Sequence, residues 1–154
     1  MKKSIMLIAA MCMTSVMTFA QDIIRVSTDK TDLVMKVSPK GRLYQVYLGD
    51  KLLNPADYNN LKWDVYAASD GAVCQRGHEV YATSGAEDFF EPAVAVTHAD
   101  GNMTTYLYYK SSEQKAVKGG TETVITLQDK VYPFTVKLHY VAYAKENVIK
   151  AWSE

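Results

Sequence analysis

The 154-residue chain has few of the residues that mark specialised protein classes. Eight Gly and four Pro are too few for a collagen-like chain, and eleven Tyr are too many for a disordered tail. Basic and acidic side chains number 17 each, so no excess charge favours binding to nucleic acid or to an anionic membrane. With 48% apolar residues, the chain has the composition and length of one globular domain.

The first twenty residues are typical of a secretory signal peptide. Lys2 and Lys3 form a basic start, residues 5–19 are an apolar run, and Thr18 and Ala20 place small residues where a signal peptidase reads. The run is short for a hydrocarbon core of about 30 Å and no basic flank follows it, which argues against a membrane anchor. We therefore predict cleavage after Ala20 and a periplasmic or secreted product that does not contact the membrane.

Cysteine is scarce, because only Cys12 and Cys74 occur. Met11 precedes Cys12 where a lipoprotein signal would need a small residue, so lipidation is not predicted. Loss of Cys12 with the signal leaves no intrachain disulfide, and stability must come from burial. For Cys74 a buried or half-buried thiol is a simpler interpretation than a nucleophile.

Apolar residues after the signal alternate with a period of two, and no eleven-residue window carries a helical stripe. This pattern predicts an all-β fold. The clearest strand is 134–142, whose core face is expected to carry Phe134, Val136, Leu138, Tyr140 and Ala142. His139 falls on the other face and is interpreted as a solvated side chain. Residues 121–127 are expected to pair with this strand, with Pro133 in the connection.

The remaining elements follow from turn residues. A meander is predicted from Ile23 to Leu53, with turns at 39–41 and 49–50 and a loop at 54–60. A hairpin is expected around the turn at 100–102, with strands starting at Val94 and returning to Tyr109, and residues 111–120 are expected to form a flexible connection. Residues 147–152 begin another strand just before the sequence ends, so we expect an incomplete sheet with an open edge.

The histidines and cysteines do not indicate a metal or cofactor site. His78, His98 and His139 are 20 and 41 residues apart, and Cys74 adds only one further ligand beside His78. There is also no nucleophile elbow, no phosphate-binding Gly loop and no dinucleotide fingerprint. No metal and no cofactor are therefore predicted.

Acidic and aromatic side chains provide the candidate site. Glu87 and Asp88 are next to Phe89 and Phe90, and glycoside hydrolysis would require such a pair of acids beside an aromatic ring that stacks on sugar. Adjacent strand residues face opposite ways, however, so a structural role for these acids is favoured and no catalytic residue is predicted. Trp63, in a polar neighbourhood, is the best candidate for an exposed aromatic that stacks on sugar. These five residues are candidates for a substrate edge or an interface.

Several short motifs occur in the order typical of a known domain. The stretch 85–96 (GAEDFFEPAVAV) leads to an Asp-Gly turn at 100–101, and further matches lie at 43–49, 123–129, 136–140 and 148–149. In this order the chain resembles the N-terminal domain of glycoside hydrolase family 36, the bacterial α-galactosidase family. One departure is Phe90, because the family usually has Arg after its Asp-Phe pair.

The resemblance implies an antiparallel two-layer β-sandwich, a supersandwich of the galactose-mutarotase-like kind, over residues 21–154. In the family this domain precedes a (β/α)8 barrel that carries the two catalytic aspartates. These residues are therefore expected to be non-catalytic, since a retaining glycosidase needs both carboxyl groups. The expected partners are the barrel, an α-galactoside indirectly and further copies of the enzyme, and the segment around 85–92 is the expected contact.

Two other interpretations stay open. The chain could be a free-standing secreted carbohydrate-binding or interaction module, in which case it would bind a glycan without any barrel. It could also be the related N-terminal sandwich of another glycosidase family, such as family 97 or 31, whose substrates differ.

Overall fold

The computed structural model describes residues 23–62, 79–85 and 91–154. Their backbone forms two antiparallel sheets, which confirms the predicted all-β sandwich. The strands are β1 (Ile23–Ser27), β2 (Thr31–Val37), β3 (Leu43–Asp50), β4 (Leu107–Val117), β5 (Gly120–Asp129), β6 (Thr135–Tyr143) and β7 (Val148–Ser153), and a short helix, α1 (Asp57–Asn60), follows β3.

Each sheet is a meander whose strands pair in chain order, β1-β2-β3 in one and β4-β5-β6-β7 in the other. The predicted pairing of 121–127 with 134–142 is confirmed, with Thr123 opposite Tyr140 and Leu127 opposite Val136. The turn at 39–41 is confirmed as well, because the Ser38 amide donates to the Arg42 carbonyl at 2.8 Å. Short connections of this kind let neighbouring strands in sequence become neighbours in space.

The core lies between the two sheets, where alternate residues of each strand point inward. The predicted core face of β6 is confirmed, since Val136, Leu138 and Ala142 are buried and Phe134 and Tyr140 pack against them. The three-stranded sheet contributes Ile24, Val26, Leu33, Met35 and Leu43, and the four-stranded sheet adds Leu107, Ile125 and Leu127. Their burial is the main favourable contribution to folding of the domain.

Two predictions for the middle of the chain were wrong. Residues 94–106 hold no regular strand, and β4 starts only at Leu107 and continues to Val117. The stretch 111–117, expected to be a flexible connection, pairs with β5 over its whole length. Its polar side chains suit a strand whose outer half is exposed, so pairing with β5 decides the structure where composition favoured a loop.

The loop predicted at 54–60 contains α1, which is anchored to the outer face of β2. Lys36, 1% exposed, donates from Nζ to the carbonyls of Asn59 and Leu61, while the Tyr58 hydroxyl donates to the buried carboxylate of Asp32. Burial lowers the pKa of Lys36, and hydrogen bonding to Asp32 raises the pKa of Tyr58. In the described part of the chain, no helix is long and apolar enough to cross a membrane.

Candidate functional site

The candidate site is a loop platform, defined here as residues 79–85, 91–105 and 129–134. It lies where β4 begins and β5 ends, beside the start of β3. Its first two segments flank residues 86–90, which contain four of the five candidate residues. Glu87, Asp88, Phe89 and Phe90, together with Trp63, lie outside the described residues, so their predicted roles stay predictions.

The two chain segments that flank 86–90 are tied together by backbone hydrogen bonds. Thr83 and Val94 form a parallel bridge, supported by bonds of 3.1 Å from the Ser84 amide to the Val94 carbonyl and of 2.9 Å from the Ala93 amide to the Ala82 carbonyl. The buried Thr83 hydroxyl also donates to the carbonyl of Thr105. Both attachment points of the 86–90 segment are thus held side by side on the platform.

Gly85 ends the first of these segments in a conformation that only glycine adopts easily. Its φ is +75°, and a Cβ placed there would lie 2.6 Å from Thr104 Oγ1 and 2.9 Å from Thr104 Cα. The left-handed backbone and the close approach both require that no side chain be present. This gives a physical reason for the Gly that opens the motif at 85–96.

The Asp-Gly turn organises the middle of the platform. The Gly101 amide donates to the His98 carbonyl at 2.9 Å, and Asp100 Oδ2 accepts from the Tyr132 hydroxyl at 2.8 Å. The Asn102 side chain donates to the same hydroxyl, also at 2.8 Å, and the His98 ring stacks on the Tyr132 ring with centroids 3.5 Å apart. The turn that connects no strands is therefore fixed by the loop between β5 and β6.

Asp129, the last residue of β5, connects the loop between β5 and β6 to the segment that leads into β4. Its buried carboxylate accepts hydrogen bonds from the backbone amides of Val131 at 2.7 Å, Tyr132 at 3.1 Å and Tyr106 at 2.8 Å. Burial acts to raise the pKa of Asp129, but these three amides outweigh it and the pKa is lowered. An ionised carboxylate with this many donors is a structural anchor for the loops around it.

Cations lie over aromatic rings at the side of the platform next to β3. Arg42 Nη2 forms an ion pair with Glu79 at 2.7 Å, and its guanidinium lies 5.6 Å from the Tyr106 ring centroid and 5.7 Å from that of Tyr108. Lys130 Nζ lies 3.9 Å from the Tyr108 centroid. Such contacts hold aromatic rings in fixed orientations at a surface.

The platform also presents apolar side chains to solvent. Met103 is 61% exposed and Val131 80%, and Tyr106, which follows the second platform segment, is 39% exposed. Contiguous exposed apolar side chains are typical of a surface that another polypeptide covers.

The carboxyl groups of Asp100 and Asp129 do not suit the role of a glycosidase general acid. A general acid for glycoside hydrolysis needs a raised pKa, but the Asn102 amide and then the Tyr132 hydroxyl lower the pKa of Asp100, and that of Asp129 is lowered as well. Glu79 is paired with Arg42. Over residues 23–62, 79–85 and 91–154, no three potential metal ligands of the His, Cys, Asp or Glu type come together.

Sequence reasoning missed the residues that hold the platform. The sequence offers one signal for Asp129, since an Asp followed by a loop and a Pro is a pattern in which a carboxylate accepts nearby amides. The Arg42–Glu79 pair joins positions 37 residues apart and left no signal in the sequence. The ring of His98 stacks on Tyr132 and its Nε2 lies 3.0 Å from the Thr105 hydroxyl, contacts that the sequence did not indicate.

The fold defines a class of protein, the antiparallel β-sandwich domain. Residues 41–154 match the model of the glycosyl hydrolase family 36 N-terminal domain, so the chain belongs to this family. No curated protein matches the chain.

Solved structures share the fold. The α-galactosidase from Lactobacillus brevis is 21% identical with a TM-score of 0.68, and 88% of this chain aligns with 21% of that one. A variant of the family 36 α-galactosidase AgaA from Geobacillus stearothermophilus, solved with raffinose, is 23% identical with a TM-score of 0.67. In this comparison 86% of this chain aligns with 21% of that one. The galactosidase domain of the α-galactosidase–sucrose kinase AgaSK has 22% identity and a TM-score of 0.67, with shares of 86% and 22%. The chain thus spans about a fifth of each structure.

Proposed function

We propose that these residues form the non-catalytic N-terminal domain of an exported α-galactosidase-like glycoside hydrolase. In this role the sandwich supports a catalytic (β/α)8 barrel carried by another part of the enzyme. The observation that carries the proposal is the family match over 41–154. The similar structures belong to α-galactosidases whose chains are about five times longer than the aligned region, which supports a role as one part of a larger enzyme.

The platform is the proposed contact with the rest of the enzyme. It combines exposed apolar side chains with rigid anchoring, because Asp129 and the Thr83–Val94 bridge fix the loops on which Met103 and Val131 are presented. A preordered apolar surface loses little conformational entropy when a partner covers it. Trp63, Glu87, Asp88, Phe89 and Phe90 keep their proposed roles at the substrate edge or the interface. The platform holds both attachment points of the segment that contains the last four.

The gene provides the first test of this proposal. We expect the reading frame to continue beyond the codon for Glu154 into a barrel with two catalytic aspartates, or a barrel to be encoded beside it. The joined polypeptide should hydrolyse a chromogenic α-galactoside. A stop codon at this point with no barrel sequence nearby would contradict the proposal.

Glycan binding separates this proposal from that of a free-standing binding module. By calorimetry on the purified chain, we expect no saturable binding to raffinose or melibiose. If binding is seen and is weakened by Trp63→Ala or Phe90→Ala, but not by the exposed control Leu53→Ala, the binding-module interpretation replaces ours. Leu53 is a suitable control because its side chain is fully exposed and it is not one of the candidate residues.

Export is a separate part of the proposal, and it predicts processing at a single bond. Expression in a bacterium with a Sec pathway should give a periplasmic product that begins at Gln21, as measured by intact mass. The variant Ala20→Arg should stay unprocessed, because a large charged side chain does not fit where the peptidase reads a small one. A wild-type product that retains Met1 in the cytoplasm would contradict export.

A further inference from the structure

A polar groove runs along the free edge of β1, close to the turn between β4 and β5. β1 is the last strand of its sheet, and over residues 23–62, 79–85 and 91–154 it pairs with β2 alone. The groove has a volume of about 620 Å³. All five residues of β1 line one side, and the other side is lined by Ser112, Glu113, Gln114, Thr121, Thr123 and Ala142. The groove thus separates a strand edge from the four-stranded sheet.

The backbone of β1 turns every second residue toward this groove. In the turn after β1, the Thr28 amide donates to the Thr31 carbonyl at 2.9 Å. In an antiparallel hairpin every second residue counted back from such a pair bonds the partner strand, here β2. The residues between them direct their amides and carbonyls to the groove, and these are Ile23, Arg25 and Ser27. Three consecutive positions of a strand ladder are therefore presented on the free edge.

Gln114 already bonds this edge with a group that resembles a peptide. Its Nε2 donates to the Arg25 carbonyl and to the Thr123 hydroxyl, both at 3.0 Å. A side-chain carboxamide has the same donor and acceptor atoms as a backbone peptide group. The amide of Gln114 therefore occupies the position that a backbone N–H of a neighbouring strand would take. This contact also confirms that the Arg25 carbonyl points away from β2.

The charge of the edge indicates which strand would fit. Arg25 is exposed, its guanidinium lies 4.9 Å from the Tyr58 ring centroid, and it forms no ion pair within the described residues. A residue directly opposite Arg25 on an added strand would lie on the same face, about 5 Å away, so an acidic side chain is favoured there. In two copies of this chain, the register that uses all three groove-facing residues places Arg25 opposite Arg25. Repulsion between like charges therefore disfavours self-association along this edge.

We propose that the edge of β1 is a docking site for one extended segment from the part of the enzyme outside these 154 residues, with an acidic side chain opposite Arg25. This inference rests on the proposed function, in which the sandwich belongs to a larger enzyme. The similar α-galactosidase structures are about five times longer than the aligned region, so such enzymes have chain available for an added strand. Main-chain hydrogen bonds supply the affinity, and Arg25 sets the register. The incoming peptide takes over the bond that Gln114 makes to the Arg25 carbonyl.

Hydrogen exchange at single amides tests the added strand in the enzyme. In the purified 154-residue chain, the amides of Arg25 and Ser27 should exchange at least about tenfold faster than the amide of Val26, which bonds β2. In the joined polypeptide, which includes the barrel, their protection should rise at least about tenfold while that of Val26 changes little.

Turnover of a chromogenic α-galactoside by the same joined sample tests the proposed function separately. An active enzyme whose Arg25 and Ser27 amides stay unprotected would overturn the docking site and leave the proposed function standing. Protected amides in an inactive polypeptide would support the docking site and contradict the proposed function alone. An inactive polypeptide with unprotected amides would contradict both.

A synthetic peptide tests strand pairing on the purified chain itself. The probe is Thr-Val-Glu-Val-Thr with blocked ends, and nuclear magnetic resonance should show saturable shifts of the Arg25 and Ser27 amides at millimolar concentration. The same peptide with Pro in place of Glu lacks the central donor and should give no saturable shift. Gln114→Ala should bind the probe more tightly, because the competing side-chain amide is gone. Absence of saturable binding, or equal binding of the Glu and Pro peptides, would overturn the proposal.

A charge exchange tests the role of Arg25. Arg25→Glu should reverse the preference of the edge, so that Thr-Val-Lys-Val-Thr binds about threefold better than the Glu peptide. The matched control Lys110→Glu changes an exposed cation on β4 outside the groove and should keep the wild-type preference. An unchanged preference in Arg25→Glu would contradict the assignment of Arg25 as the residue that sets the register.

Discussion

Replacing Asp129 by alanine is expected to lower the free energy of unfolding by about 3 kcal/mol. The substitution removes the acceptor for the amides of Val131, Tyr132 and Tyr106, and buried donors without partners are costly. Asp129→Asn keeps one acceptor oxygen and should lose less. Urea denaturation followed by circular dichroism measures all of these differences.

Asp100→Ala is the matched control, since Asp100 stands on the same platform but is exposed. Asp100→Ala should lower the free energy of unfolding much less than Asp129→Ala, because solvent replaces the lost hydrogen bonds. Equal losses for Asp100→Ala and Asp129→Ala would contradict the assignment of Asp129 as the anchor.

Acidification should reproduce part of the Asp129 effect. The folded-state pKa of Asp129 is below that of an unfolded aspartate, about 3.9, so the unfolded chain binds the proton more readily. The stabilisation is therefore fully present above that value and is lost as the pH falls through the folded-state pKa. Asp129→Ala should show a smaller loss of stability than wild type below about pH 4.

A second large loss is expected from Gly85→Ala, about 3 kcal/mol. The new methyl group would need a left-handed backbone and would overlap Thr104. Gly101→Ala is the matched control: its φ is +85°, but nothing lies within 4 Å of the added Cβ, so only the backbone cost of about 1 kcal/mol applies. Thermal and urea unfolding measure the free energy lost by each variant. The difference between the two losses is the cost of the close contact with Thr104, because both variants share the cost of the left-handed backbone. Equal losses would contradict the close packing of Gly85 on Thr104.

The strands with strict alternation were predictable from the sequence, because one face of each is buried against the other sheet. The core face of β6 and its pairing with residues 121–127 were predictable from the alternation of apolar residues such as Val136 and Leu127. The outer half of β4 was not predictable in this way, since its polar side chains carry no burial pattern and its pairing with β5 comes from the hairpin. The prediction that His139 is solvated was wrong for a related reason, since the residue is only 9% exposed: alternation identifies the outer face of a strand but not that Trp152 covers it.

The platform depends on contacts between residues distant in sequence. The site role of the motif at 85–96 stays a prediction, and the structure explains the first glycine of that motif. The anchoring by Asp129, the Tyr132–His98 stack and the Arg42–Glu79 pair join separate loops, and such pairings are set by the fold and not by local patterns. A sequence gives the residue types for these contacts without their partners.

Turnover of a chromogenic α-galactoside by the purified 154-residue chain distinguishes a non-catalytic domain from an active glycosidase, with the AgaA enzyme of Geobacillus stearothermophilus as the positive control. A domain that supplies shape but not the two carboxyl groups of a retaining glycosidase should release no chromophore above the buffer rate. Saturable turnover that stays with the chain through successive purification steps would contradict the account.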